Sequence, residues 1–141
     1  MDILKLVKEK EEKVIKIRRD LHQIPELELE LPKTMEYISK VLDEIGVNYK
    51  KLLNGNAIVV QIDGEQAGKC IAIRADSDAL PVVEETGLPF ASTNGNMHAC
   101  GHDGHTAMAL GACMILNENR DKLKGTYFSN PEKKRREGLY L

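Results

Sequence analysis

Residues 98–105 read His-Ala-Cys-Gly-His-Asp-Gly-His, which puts three of the chain's four histidines, one of its three cysteines and an aspartate within eight positions. A thiolate at Cys100 and an imidazole at His102, one glycine apart, can reach a single divalent ion from a tight loop. Gly101 permits the sharp turn that aims both side chains the same way. A closed structural zinc site would draw two ligand pairs from separated segments, and no second pair exists. Haem attachment needs a further cysteine that is absent. A thiol nucleophile at Cys100, activated by His102, stays open. An open metal site completed from distant segments fits these residues best.

A second group of chemically capable residues is Arg74-Ala75-Asp76-Ser77-Asp78-Ala79-Leu80-Pro81. Asp76 and Asp78 either cap a turn or turn their carboxylates toward one site. A carboxylate there binds metal, or holds a metal-bound histidine in the right tautomer. His22 ends a helix, where electrostatics alone suit a histidine. The run Lys133-Lys134-Arg135-Arg136 reads as a solvated tail.

These residues need elements to carry them. Apolar positions Ile3, Leu4, Val7, Val14, Ile17 and Leu21 predict an amphipathic helix over 3–22, with Asp2 as N-cap and Pro25 beyond its end. A second helix is expected from Pro32, stopping at Gly46. Strands around 47–53 and 57–62 flank Asn54-Gly55-Asn56, a turn signal. Cys70 to Arg74 reads as a buried strand that delivers the two aspartates to its end. A long irregular stretch follows, and then a helix over Thr106 to Asn117, whose N-terminus favours anionic groups.

The 141 residues suffice for one domain with one modest core. The chain is 42% hydrophobic and 30% charged with a net charge of −2, a balance that argues against a nucleic-acid binder. No apolar run is long enough to span a membrane, and the start of the chain lacks a signal-peptide core, so a cytoplasmic protein is expected. Three cysteines fit a reduced compartment. Cys70 and Cys113 read as small buried hydrophobes.

Three motifs occur in order: Ile17-Arg18-Arg19-Asp20-Leu21-His22 with Pro25-Glu26-Leu27, then Ile73 through Pro81, then Met97 through His105. Together they closely resemble the amidohydrolase branch of the aminoacylase/carboxypeptidase metallopeptidase family. That branch includes hippurate hydrolases, auxin-conjugate hydrolases and N-acetyl-diaminopimelate deacetylases. The resemblance runs from about Ile3 to Thr126. It implies an α/β fold: the N-terminal part of an α/β/α catalytic domain with a mixed sheet, truncated before the dimerisation domain. It also implies amide hydrolysis of N-acyl amino acids or small peptides at a two-metal site holding zinc, manganese, cobalt or nickel. Carried over by position, Cys100 and His102 resemble metal ligands, and Asp78 resembles the catalytic carboxylate beside the metals. Intact members of the family are often dimeric.

The chain departs from that pattern after Thr126. The resemblance calls for a Phe-Gln-Pro-Gly/Ala-Glu-Glu segment, which supplies the general base and a further ligand, and for later histidines. Tyr127 to Leu141 contains neither. The expectation is therefore a partial catalytic domain over 1–126 with an aberrant tail over 127–141, inactive as written. Its sheet should expose an apolar edge. Degenerate codons for Phe128 to Lys134, read from each third base, permit Phe-Gln-Pro-Gly-Glu-Glu, which suggests a frameshift near Tyr127. The alternative is a non-catalytic product that binds metal weakly or associates with an intact subunit.

Overall fold

The computed structural model describes residues 2–129. The Lys133–Arg136 run and most of the 127–141 tail lie outside them. Helix α1 spans Ile3–His22, and the Asp2 carboxylate accepts from the Lys5 N–H at 3.2 Å, as a capping aspartate should. Helix α2 spans Pro32–Ile45 and ends at Gly46, whose backbone is left-handed. Its N-cap, Leu31, has no capping side chain. Glu26 serves instead from outside the helix, accepting from the N–H groups of Lys33 (3.1 Å) and Thr34 (2.8 Å).

Strand β1 (Tyr49–Leu52) pairs antiparallel with β2 (Ala57–Asp63), with Lys50 opposite Val59. Strand β3 (Gln66–Ile73) does not return to β2. It runs through a long loop and helix α3 (His102–Glu118) to β4 (Lys124–Ser129), which lies between β2 and β3. The sheet order is β1-β2-β4-β3, mixed, with β4 antiparallel to β2 and parallel to β3. The unit β3–α3–β4 is a crossover between parallel strands.

Alternation along β2 sends Ile58, Val60 and Ile62 inward, where they meet Met35, Ile38 and Leu42 of α2 and Leu110, Cys113 and Met114 of α3. Ile17 and Leu21 of α1 close the same core. Gly111 lets α1 approach α3 closely, because a Cβ there would sit 2.8 Å from Val14 Cγ2. Tyr37 of α2 donates to Asp20 of α1 at 2.6 Å, and Asn117 of α3 donates to the Ile45 carbonyl at 3.0 Å. All three helices are thereby tied together.

One expectation is corrected. Cys70 lies on β3 as predicted but is exposed, as is every residue of that strand. The strand is the sheet edge, and the described elements leave all of its residues exposed. Cys113 is buried as expected. Helix α3 also begins four residues before Thr106, so His102 and His105 belong to its first turn.

Candidate metal centre

The chain leaves β3 at Ile73 and enters an irregular segment that threads between α2's entry loop and α3. Ala79 N–H donates to the Glu26 carbonyl at 2.7 Å, and Leu80 exchanges two 3.0 Å backbone hydrogen bonds with Met97. Ser77 and Thr106 share a buried hydroxyl contact of 2.9 Å, while Thr106 donates to the Asp76 carbonyl at 3.1 Å. These bonds pin Asp76 and Asp78 against the first turn of α3.

Gly101, in left-handed backbone, is the N-cap of α3, and its carbonyl accepts from Gly104 (2.9 Å) and His105 (3.2 Å). From that turn His102 and His105 project together, their rings stacked with centroids 5.4 Å apart. Asp76, His102 and His105 each bring one ligand atom to within 4.8 Å of the others. A carboxylate and two imidazoles are a donor set suited to zinc or another first-row divalent ion. The group borders an open cleft of about 390 Å³, walled by Ile73, Arg74, Met108 and Ala109.

Asp78 has a different position. Its Oδ1 lies 2.9 Å from His102 Nδ1, and its carbonyl oxygen lies 3.0 Å from the same nitrogen. With hydrogen on Nδ1, Nε2 of His102 is left with its lone pair free for a cation. This is how a carboxylate orients a ligand histidine. Arg74 donates to Asp76 Oδ1 at 2.5 Å and holds that carboxylate from the solvent side.

Of the residues anticipated from sequence, His102 and Asp78 are thus brought together. Cys100 is exposed on the turn before α3 and stands outside the three-donor group. The glycine between Cys100 and His102 separates a loop residue from a helical one. Asp76 had been singled out only as one of a pair, and His105 only as part of the histidine-rich run. The signal for His105 was its spacing: His102 and His105 lie three apart, and only a helix beginning at His102 puts them on one face.

Residues 72–128 match Peptidase family M20/M25/M40. Over those residues the chain is similar to M20-family peptidases. It is 51% identical over 116 residues to an N-acetyl-L-cysteine deacetylase of Bacillus subtilis, a match covering 82% of this chain and 28% of that protein. It is 43% identical over 125 residues to an N-acyl-L-amino acid amidohydrolase of Geobacillus stearothermophilus, covering 88% and 34% respectively. Among solved structures it resembles a dinuclear metal-binding M20 peptidase from Bacillus subtilis, with TM-score 0.81 and 44% identity over 86% of this chain and 35% of that one. The chain therefore spans about a third of the length of the relatives it matches. Among the described residues no helix is long and apolar enough to cross a membrane.

Proposed function

We propose that this M20-type chain contributes the first metal-binding turn of an amidohydrolase that cleaves N-acyl amino acids or small peptides. The observation that carries the reading is the convergence of Asp76, His102 and His105, with His102 oriented by Asp78. A divalent cation held there supplies Lewis acidity toward an amide carbonyl. Asp78 keeps hydrogen on Nδ1 of His102 and so presents Nε2. Arg74 screens Asp76, and the apolar wall of Ile73, Met108 and Ala109 suits a short acyl chain. Cys100 joins as a further ligand if its exposed side chain turns toward the cleft. The two relatives named for N-acetyl-L-cysteine and N-acyl-L-amino acid substrates support that substrate class.

The same reading makes residues 1–126 a partial catalytic domain and the tail from Tyr127 an out-of-frame extension, which the gene's nucleotide sequence tests. Pairing of intact subunits and cytoplasmic residence belong to it as well. The second supporting observation favours a non-catalytic role for this polypeptide by itself: every residue of the edge strand β3 is exposed, a surface suited to association with another subunit.

Metal titration followed by an assay on N-acetyl-L-cysteine separates the readings. The chain should bind Zn²⁺ or Mn²⁺ and show no turnover, because general-base catalysis, commonly worth about 10²–10⁴-fold, has no assigned residue. His102→Ala should abolish binding, and Asp78→Ala should weaken it about 10–100-fold, as lost orienting partners do. Metal binding unaffected by His102→Ala would sink the assignment. Turnover by the chain as it stands would sink the non-catalytic reading.

A further inference from the structure

A second polar cluster lies behind the metal-binding turn, and the chemistry proposed above does not use it. Arg18 and His22 are four residues apart on α1 and so share one face. His22 is only 2% exposed. Its Nδ1 lies 2.6 Å from Asp103 Oδ2, and its Nε2 lies 3.1 Å from Glu84 Oε1. Asp103 occupies the first turn of α3 between His102 and His105, and its side chain is wholly buried. Arg18 Nε donates to the same Oδ2 at 2.9 Å, and the Gly104 N–H donates to Oδ1 at 2.8 Å.

Glu84 is fastened in turn, accepting from the Thr86 hydroxyl at 2.5 Å and the Ser92 N–H at 2.6 Å. Phe90, on the same loop, receives the guanidinium groups of Arg18 and Arg19 at 5.4 and 5.1 Å and the edge of His22 at 5.8 Å. His98 is buried beside His22, ring centroids 6.3 Å apart, and neither of its nitrogens meets a hydrogen-bond partner of good geometry. His22 thus bridges Asp103 of α3 and Glu84 of the loop, and further donors hold each carboxylate, so these contacts fasten α1, the first turn of α3 and the 84–98 loop to one another.

We propose that His22, held between Asp103 and Glu84, is a positioning residue of the metal centre. It anchors the first turn of α3 to α1 and to the 84–98 loop, and thereby sets where His102 and His105 stand relative to Asp76. The proposal rests on the metal-site reading above. It adds a role for residues 80 positions away that touch no ligand atom.

The full chain and its His22→Gln variant are titrated with Co²⁺ alone, followed by visible absorption. The same proteins, metal-free, are examined by ¹⁵N spectroscopy of the His102 ring. Val41→Ala serves as a control that loosens the core without touching the network. His22→Gln should remain folded, bind Co²⁺ about 10–100-fold more weakly, and lose the single Nδ1–H signature of His102. Val41→Ala should lower the unfolding midpoint and leave both readouts in place. Should His22→Gln fail to fold, Glu84→Gln is read the same way, with a smaller loss in the same direction. A folded variant that keeps wild-type Co²⁺ affinity and the His102 signature overturns the proposal. If the wild type itself takes up no Co²⁺, the metal reading fails separately. The His102 ring spectrum then decides whether His22 orders the turn.

Discussion

At the scale of single residues, buried carboxylates carry much of the order around the metal turn. Glu84 shows it through its titration. The Thr86 hydroxyl, then the Ser92 N–H and His22, outweigh burial and hold its carboxyl down to about 2 from an ordinary 4.5. A carboxyl depressed in the folded state stabilises the fold fully above its unfolded value, and that contribution disappears as pH falls through the folded one. The stability difference between wild type and Glu84→Gln, taken from urea unfolding, should therefore be constant above about pH 4.5 and shrink from there toward pH 2. A difference independent of pH would show that Glu84 does not ionise in this way. His98 is also held below its usual range, because burial disfavours its charged form, although the charge of Asp103 works against that shift. Residue types alone made part of this legible. A Cys-Gly-His loop and a nearby Asp-Ser-Asp pair announce metal chemistry, and Asp78 does meet His102. His22 was read as a helix-end histidine, because nothing local to residues 18–26 reveals a carboxylate at position 103. Burial of a polar side chain is decided by elements far away in sequence.

At the scale of elements, periodicity and capping chemistry were sufficient for the helices. Asp2 and Gly46 bound α1 and α2 as their residue types require, and the Asn-Gly-Asn turn joins an antiparallel pair. The start of α3 was placed late because Gly101 and Gly104 weaken the helical pattern, while the actual N-terminus is set by the left-handed turn at Gly101. The role of Glu26 could not be seen at all, since it caps a helix that begins six residues later without being its N-cap. Glu26→Ala should cost about 1 kcal/mol, as loss of a capping side chain does. Thermal unfolding followed by far-UV circular dichroism measures it, and a midpoint unchanged from wild type would mean water satisfies those N–H groups equally well.

At the scale of the molecule, the pattern that predicted a buried strand at Cys70–Arg74 met a sheet edge that the described elements leave exposed. Apolar composition reports what a strand is suited to pack against, and it cannot report which neighbours are present. Ile71 is 50% exposed and Ile73 37% exposed on that edge, the kind of surface that recruits further strands. Ile71→Lys should reduce self-association in sedimentation experiments without lowering the unfolding midpoint, and undiminished association would place the contact elsewhere. The His22–Asp103 bond also bears on synthesis, for its partners are 81 positions apart. At roughly 5–20 residues per second, a ribosome needs roughly 4–16 seconds to deliver the second after the first. During that interval residues 3–22 are present with His22 uncommitted, and the turn it will fix has not yet been made. The segment made first is thus the anchor, and on the proposed reading the turn that carries His102 and His105 can be fixed only once the growing chain brings Asp103 to it.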